Sequence, residues 1–178
     1  MKKVLVITDL YPRSSSDYKG IFVENFVRCV HSTEMQVDVI NVNLVPISQA
    51  KLSQLYFSRK NNCGQNTIQI GAFSLLPRST YFFSFMHFLL SLIAFTFLYK
   101  KYDLIHAHNG LFSGNSARLI GNIFKIPFVL TEHRKSYPEF IRSVELKIYG
   151  KVIMAAQKIL LPSESFRQNF CSVFPDVG

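Results

Sequence analysis

The segment DLIHAHNGLFSG, residues 103–114, carries two histidines one position apart, where a short apolar run meets Asn-Gly. A neutral imidazole can accept a proton, make a hydrogen bond or ligate a metal. If a strand continues through both residues, His106 and His108 point to one side of a sheet, with His108 nearer its end. A second segment, LTEH, ends in Glu132 and His133. The pattern predicts three imidazoles and a carboxylate at one edge of a sheet.

Three interpretations of this histidine cluster remain open. The side chains can be buried structural residues, they can bind a ligand, or they can belong to a zinc site. An HxH pair with a third histidine is a usual zinc donor set. We favour ligand binding because three histidines converge at the predicted edge, and we expect no bound metal.

Strand-like and helix-like segments alternate along the chain. Short β-branched runs predict strands, and apolar residues at intervals of three or four predict helices between them. The predicted strands are KKVLVITDL, MQVDVINVNLV, NTIQIGAF, YDLIHAH, IPFVLTEH and KILLPS. This alternation predicts an α/β fold, a Rossmann-like three-layer αβα domain with a mainly parallel sheet of six or seven strands.

The helical segments give more detailed expectations. The apolar residues of IFVENFVRCVH predict that Phe22, Phe26 and Val30, with Val23 and Val27 beside them, share one face of a helix. Ser163 is expected to be the N-cap of the last helix. The stretch 46–65 shows neither the helical nor the strand periodicity of apolar residues, so it predicts no element. In the helix after YDLIHAH the residues expected to face inward are Leu111, Leu119, Ile123 and Phe124.

The uncharged run from Tyr81 to Tyr99 is just long enough to span a bilayer. It lies between two strands that are predicted to share one sheet, and a spanning helix would place them on opposite sides of the membrane. We therefore expect a crossover helix. Ser84, His87, Ser91 and Thr96 recur near helical spacing and would give this helix a mildly polar stripe.

The formal net charge of +9 is unevenly distributed, because no acidic residue occurs between Asp38 and Asp103. Basic residues beside an apolar helix suit an anionic membrane surface. Nucleic acid is not an expected partner, because no groove-reading motif is present. Three cysteines without a CxxC pair favour a reduced, cytoplasmic setting. The basic residues beside the apolar helix add the expectation of a peripheral position on the inner face of the plasma membrane.

The ligand site of such a fold is predicted by topology. In open α/β sheets, ligands bind beyond the carboxyl ends of the strands, where the strand order reverses. The first strand and YDLIHAH are expected to be neighbours there, so that loops 11–20 and 106–110 face each other across one crevice. The first loop lacks GxGxxG, and dinucleotide binding by that route is not expected.

Three segments taken in order resemble the N-terminal domain of retaining GT-B glycosyltransferases of family 4. They are KVLVITDLYP…KGIFVENFVRCV, YDLIHAHNGLFSGNSARLIGNIFKIPFVLTEHRKS and KILLPSESFRQNF, and they leave about Val45 to Lys100 unmatched. The resemblance implies one half of a GT-B fold. Residues 1–178 would form the N-terminal, acceptor-side domain, and the C-terminal donor-binding domain would be absent from this chain.

The resemblance also implies site residues. His108 matches the active-site histidine, which would hydrogen-bond the transferring sugar or the acceptor near the anomeric carbon, and Gly20 matches the loop glycine at the reaction centre. His133 and Arg134 would line the acceptor side. A nucleotide sugar is expected as donor substrate, with no cofactor. The expected substrate-binding residues are Gly20, His106, Asn109, Glu132, His133 and Arg134.

The implied activity is retaining, hexosyltransferase-like transfer of a sugar from a nucleotide sugar to a glycan or lipid-linked acceptor in cell-surface polysaccharide synthesis. The loop SSSDYKG lacks the double glycine of many relatives, and the donor-half carboxylates are absent, so this chain alone is expected to be inactive. One alternative is a stand-alone binding or scaffold module that presents an acceptor to a partner transferase. The other is a single-domain hydrolase or metal enzyme.

Overall fold

A computed structural model of the chain describes residues 1–14, 16–31, 34–62, 64–76, 79–98, 100–133 and 142–174. Its strands are β1 (Lys2–Thr8), β2 (Met35–Pro46), β3 (Tyr56–Asn62), β4 (Gln65–Ser74), β5 (Leu104–His108), β6 (Phe128–Thr131) and β7 (Lys158–Leu160). Its helices are α1 (Ile21–Val30), α2 (Thr80–Leu98), α3 (Asn115–Phe124), α4 (Ser143–Ala155) and α5 (Glu164–Val173). Strands and helices alternate as the sequence predicts.

The strands form one seven-stranded sheet in the order β3-β4-β2-β1-β5-β6-β7. Every neighbouring pair is parallel except β3 and β4, which form an antiparallel hairpin at one edge. Strand β1 lies in the middle and pairs with β2 on one side and β5 on the other. The order therefore reverses between β1 and β5, and the prediction of a mainly parallel α/β sheet is confirmed.

The edge strand β3 lies inside the stretch for which the sequence predicted no element. Most of its side chains are exposed, so neither face of the strand needs an apolar pattern. A turn at Gly64, with φ of 86°, leads into β4. A polar edge strand of this kind leaves little periodic signal in the sequence.

The core has two halves because successive residues of a strand face opposite sides. Val4 and Val6 of β1 pack against Val23 and Val27 of α1, which are fully buried. The opposite face of the sheet packs against α2, α3 and α4. The predicted apolar face of α1 is therefore confirmed at Val23 and Val27, while Phe22 lies at its margin and is 39% exposed.

Helix α2 is inverted relative to an ordinary amphipathic helix. Its buried side includes Ser84, His87 and Ser91, whereas four large apolar side chains face solvent. Thr96 is exposed and does not share this buried side with the rest of the predicted polar stripe. The amide of Asn115 donates to Ser84 Oγ at 2.8 Å, and His87 Nδ1 lies 2.8 Å from Ser116 Oγ. We call these five residues the polar seam between α2 and α3. The exposed apolar residues, called the apolar stripe, are Tyr81, Phe85, Ile93 and Phe97.

Helix α2 is also the one helix in the described part of the chain that is long and apolar enough to cross a membrane. Only a third of its most apolar window is buried. It connects β4 to β5, and both strands belong to the same sheet. A crossover between two strands of one sheet keeps both of its ends on the same side of any bilayer.

The inner face of α3 differs from the predicted one. Leu111 is buried as predicted, but Ile123 and Phe124 are 55% and 44% exposed. The buried face of α3 is formed mainly by small and polar residues together with Ile120. Gly121 allows the segment after α3 to pack closely against the helix, because a Cβ added at Gly121 would lie 2.6 Å from the carbonyl oxygen of Ile126. The predicted cap of α5 is confirmed, since the amide of Phe166 donates to Ser163 Oγ at 3.3 Å.

Candidate functional site

The carboxyl ends of β1, β5 and β6 lie side by side at the point where the strand order reverses. His108, the last residue of β5, is in register with Thr8 of β1 and with Thr131 of β6. Open parallel sheets bind their ligands at this position. The predicted location of the candidate site therefore rests on an observed strand register.

The loops after β1 and β5 are joined directly by side chains. The amide Nδ2 of Asn109 donates to Asp9 Oδ1 at 2.7 Å, although the two residues are 100 positions apart. Asn109 has a positive φ of 72°, which asparagine tolerates better than most residues. The two loops face each other as expected, and Asp9 is a contributor that the sequence patterns did not single out.

Gly20 precedes α1 in a conformation that requires glycine. Its φ is 73°, and an added Cβ would lie 2.3 Å from the carbonyl oxygen of Leu10. Its own carbonyl oxygen accepts the amides of Val23 and Glu24 at 2.9 and 3.2 Å. The close backbone approach at Gly20 is therefore made by residues of the same loop, and it fixes the position of the first turn of α1.

Three imidazoles form a stack that extends beyond the end of β5. The rings of His106 and His108 lie 4.5 Å apart between centroids, which confirms that both side chains point to one side of the sheet. The His133 ring is nearly parallel to that of His108, at 5.2 Å. Nδ1 of His108 and Nε2 of His133 are 3.0 Å apart, so one ring donates and the other accepts. His106 Nε2 contacts Thr131 Oγ1 at 2.7 Å.

The inner two imidazoles of the stack are held neutral by burial. Burial lowers the pKa of His106 to about 4 and that of His108 to about 2. The pKa of His133 is lowered for the same reason. Only 2% of His108 is exposed, and its Nε2 is buried without a hydrogen-bond partner among the described residues. A neutral imidazole with one unused nitrogen can donate or accept one further hydrogen bond.

Two phenylalanines of α1 cover the imidazole stack. The ring of Phe26 meets His106 and His108 edge-on, at centroid distances of 4.7 and 5.2 Å. The ring of Phe22 lies 4.2 Å from that of His133. His108 is thus in contact with a helix side chain rather than open to solvent, and a ligand reaches it only if the Phe26 side chain moves aside.

Glu132 is directed into the protein. Its Oε2 accepts the amide of Gly110 at 2.8 Å and the hydroxyl of Tyr149, and its Oε1 accepts the amide of His133 at 2.9 Å. The side chain is almost completely buried. The carboxylate therefore joins the ends of β5 and β6 to the middle of α4, and it fixes the backbone of His133.

The remaining expected site residue, Arg134, lies outside the described residues. Within the described ranges, no group of three or more His, Cys, Asp or Glu side chains is arranged to hold a metal ion.

A cavity of about 710 Å³ opens between the loop after β1, helix α1 and the β3–β4 hairpin. On β4 its wall is formed by Gln65, Thr67 and Gln69, which alternate along one face of the strand. Gln69 Nε2 donates to the carbonyl oxygen of Pro12 at 2.8 Å and so ties the strand to the loop. The charged residues that line the cavity are Arg13, Glu24, Arg28 and Lys60.

His133 connects the imidazole stack to a second, smaller cavity. This cavity of about 250 Å³ is also lined by Ser163 and Ser165, at the start of α5. The sequence patterns singled out neither cavity. Both depend on side chains from elements far apart in the chain, and no local spacing indicates that these elements meet.

Comparison with known proteins gives a family and a fold. The family model of Glycosyltransferase Family 4 matches residues 20–176. The teichuronic acid biosynthesis glycosyltransferase TuaC of Bacillus subtilis (strain 168) is 23% identical over 177 residues. That alignment covers 93% of this chain and 45% of TuaC. The chain therefore spans less than half the length of this relative.

Solved structures with similar folds include a trehalose-phosphate synthase and an epimerase of UDP-GlcNAc. The UDP-forming alpha,alpha-trehalose-phosphate synthase of Burkholderia xenovorans, solved with glucose-6-phosphate, has a TM-score of 0.59 at 11% identity over 98% of this chain and 43% of its own. The UDP-GlcNAc 2-epimerase of Methanocaldococcus jannaschii has a TM-score of 0.54 at 13% identity, covering 99% and 42%. At these identities the similarity establishes the fold alone.

Proposed function

The chain belongs to Glycosyltransferase Family 4, and from this premise we propose that it forms the acceptor-side domain of a retaining sugar transferase. The donor is a nucleotide sugar, and the acceptor is a glycan or a lipid-linked glycan used in cell-surface polysaccharide synthesis. No cofactor is required. The similarity to TuaC, a teichuronic acid biosynthesis protein by name, supports a polysaccharide acceptor.

The observation that carries the proposal is the polar cavity beside the loop after β1. Amide and hydroxyl side chains line it on the β4 side, and such groups suit a ligand rich in hydroxyls. Its charged residues carry more positive than negative charge, which suits an acceptor with a carboxylate or phosphate group. The cavity shares helix α1 with the cover over the imidazole stack, so acceptor binding and exposure of His108 are expected to be linked.

The proposed role of His108 follows from its neutral state and its free nitrogen. When Phe22 and Phe26 move aside, Nε2 would hydrogen-bond the transferring sugar or the acceptor hydroxyl near the anomeric carbon, while Nδ1 stays bonded to His133. The second bond fixes the orientation of the ring and its tautomer. Gly20 holds the start of α1 beside this point, and His106, Asn109, Glu132, His133 and Arg134 position or line the acceptor side.

The donor-binding domain is proposed to lie outside these 178 residues. TuaC and the solved neighbours are more than twice as long as the region that they share with this chain. A cleft that orders two reactants needs both of its walls. Calorimetry on the chain alone is expected to find weak or no nucleotide-sugar binding and no transfer. Tight donor binding or turnover by this chain would contradict the proposal.

The proposed location is the cytoplasm, at the inner face of the plasma membrane. The basic excess between Asp38 and Asp103 and the exposed apolar side chains of α2 support a peripheral position on an anionic surface. A lipid-linked acceptor would be present at that surface.

The catalytic assignment is tested in a protein that also contains the donor-binding domain. His108→Ala is expected to lower kcat by roughly 100-fold or more, because a hydrogen bond to the reacting groups is lost in the transition state. His87→Asn, a change at a buried imidazole outside the site, serves as the control and should leave kcat within about threefold. Unchanged turnover in the His108 variant would refute the role of this residue.

The acceptor cavity is tested in the same protein by Asn25→Ala and Lys60→Ala, two side chains that line it. Loss of a uniform binding contact is expected to raise the KM for the acceptor several-fold while kcat and the KM for the donor stay nearly constant. Lys51→Ala, just outside the cavity, is the matched control for Lys60. A change confined to the donor KM would assign the cavity to the donor instead.

A further inference from the structure

A second large cavity lies at the amino ends of the strands, whereas the candidate site lies at their carboxyl ends. It has a volume of about 670 Å³ and is formed where the last turn of α2 meets the end of α3. Phe95, Tyr102 and Phe124 supply an aromatic floor, and the Phe95 and Phe124 ring centroids are 4.5 Å apart. Tyr102 precedes β5, so this cavity opens at the amino ends of the strands.

Three lysines line this cavity, and no acidic residue is among the described residues that do so. Lys100 is already engaged, since its Nζ lies 2.9 Å from Oδ2 of the buried Asp38. Lys101 and Lys125 are exposed and have no ion pair within the described residues. The cavity therefore carries two lysines without a paired carboxylate among the described residues, next to the aromatic rings of Phe95, Tyr102 and Phe124. We call it the lysine cavity.

Lys125 has a backbone conformation that favours glycine. It follows the last residue of α3 with φ of 59° and ψ of 38°, in the left-handed region. Glycine, or less often asparagine, is usual at this position of a helix end, because a Cβ is disfavoured there. A lysine held in this conformation beside a cavity with other lysines points to a role for its charge.

The surface around the lysine cavity is apolar. Ile93 and Phe97 of the apolar stripe flank Thr96, which lines the cavity, and Ile123 and Phe124 are exposed at the end of α3. Several exposed apolar side chains close together in a fold are typical of an interaction site. Cations next to exposed aromatic and aliphatic side chains match the interface of a bilayer, where phosphate groups lie above acyl chains.

We propose that the lysine cavity binds the phosphate group of an anionic membrane lipid, with the apolar stripe of α2 lying along the acyl region. The inference rests on the membrane-surface location proposed above but not on the transfer reaction. Helix α2 would lie flat at the interface. The lysines would contact headgroups near the amino ends of the strands, and the start of α2 would place the carboxyl ends, where the candidate site lies, beside the same surface.

The test is co-sedimentation with vesicles of phosphatidylcholine, alone or mixed with phosphatidylglycerol. The wild-type chain is expected to bind the mixed vesicles and to be released by salt. The variant Lys101→Ser/Lys125→Gly should bind them about 25-fold more weakly, because each lysine near an anionic surface contributes roughly fivefold. The matched control Lys19→Ser/Lys51→Ser removes two exposed lysines near the other edge of the sheet and should change binding less than about threefold.

The Lys125→Gly change separates binding from folding. Glycine relieves the left-handed backbone, so the Tm of this variant should be equal to or higher than that of the wild type. A lower Tm together with weaker vesicle binding would overturn the argument from Lys125. Phe85→Ser/Ile93→Ser, at two exposed positions of the stripe, is expected to weaken vesicle binding about tenfold or more.

The outcomes distinguish the two proposals and the source of the phosphate. If the wild type ignores anionic vesicles, the membrane location fails and this inference fails with it. If it binds but the lysine double variant binds equally well, only this inference is overturned. Inorganic phosphate should release the protein no better than chloride at equal ionic strength. Selective release by phosphate would identify a site for free phosphate and overturn the assignment to a lipid.

Discussion

Buried imidazoles are the residues through which pH acts on this protein. His87 in the polar seam is completely enclosed, and burial lowers its pKa to about 3. Burial also lowers the pKa values of His106 and His108. In the unfolded chain each of these imidazoles titrates near its ordinary pKa of about 6.5. Below that pH the unfolded state binds protons that the folded state does not bind.

The first prediction is a loss of stability as the pH falls from about 6.5 toward 4. Each buried imidazole should lower the free energy of unfolding by about 1.4 kcal/mol per pH unit over this interval. His87→Asn removes one of these groups and should reduce the slope by about that amount. The measurement is urea unfolding at a series of pH values.

A change at Ser91, a neighbour in the polar seam that does not titrate in this range, provides the control. Ser91→Ala should shift the stability at every pH without altering its slope. An unaltered slope in His87→Asn would mean that His87 is charged in the folded protein, against the lowered pKa.

At the scale of elements, the loop that leads into α1 depends on one glycine. Gly20→Ala combines a positive φ with a Cβ that would overlap the backbone of Leu10 and Tyr11. We expect a loss of about 3 kcal/mol or more in the free energy of unfolding. Gly64→Ala is the matched control, since its φ is 86° but nothing lies within 4 Å of the added Cβ. It should cost only about 1 kcal/mol.

The urea midpoints of these two variants separate the cost of a side chain at positive φ, which both variants carry, from the cost of steric overlap, which only Gly20→Ala carries. Equal losses would mean that the loop before α1 can shift to accept a side chain. The same variants report on the site, because a displaced α1 uncovers the imidazole stack and should raise the reactivity of His133 toward diethyl pyrocarbonate.

Buried elements were easier to predict from the sequence than exposed ones. The central strands are covered on both faces, so their apolar runs are unmistakable and their order follows from parallel crossovers. Strand β3 is exposed and polar, and it left no period to detect. The inner face of α3 was predicted wrongly because a close approach to α2 places small and polar residues inside and leaves Ile123 and Phe124 outside.

The candidate site was predictable only in part. The meeting of the two loops follows from strand order, and the common orientation of His106 and His108 follows from alternation. The cover by Phe26 and the burial of Glu132 under Tyr149 do not follow, because they depend on helix positions that no local spacing specifies. The roles of the expected site residues stay predictions.

At the scale of the whole molecule, the buried carboxylate of Asp38 joins three parts of the fold. Its oxygens accept the amide and side chain of Asn66 at 2.7 and 3.0 Å, the hydroxyl of Tyr102 at 2.8 Å and Lys100 Nζ at 2.9 Å. The partners belong to β4 and to the segment between α2 and β5. Asp38 thus connects the hairpin side of the sheet to the crossover that returns to its centre.

Asp38→Asn is expected to lower the free energy of unfolding by about 3 kcal/mol, because one amide cannot accept from all of these donors and Lys100 loses its partner. Asp103→Asn is the matched control, since Asp103 is exposed and accepts the amide of Lys3 at 2.8 Å. It should cost less than about 1 kcal/mol. Similar losses in both variants, measured by urea unfolding, would show that Asp38 does not join these parts.

The inverted helix α2 has a consequence at the ribosome. The helix is synthesised before β5 and α3, and a segment of this length and apolarity is of the kind that insertion machinery tests against the bilayer. The imidazole of His87 and the two serine hydroxyls of α2 make that transfer less favourable. Once α3 has emerged, Asn115 and Ser116 supply their partners. The same polar side chains that disfavour the bilayer therefore find their hydrogen-bond partners in the folded domain.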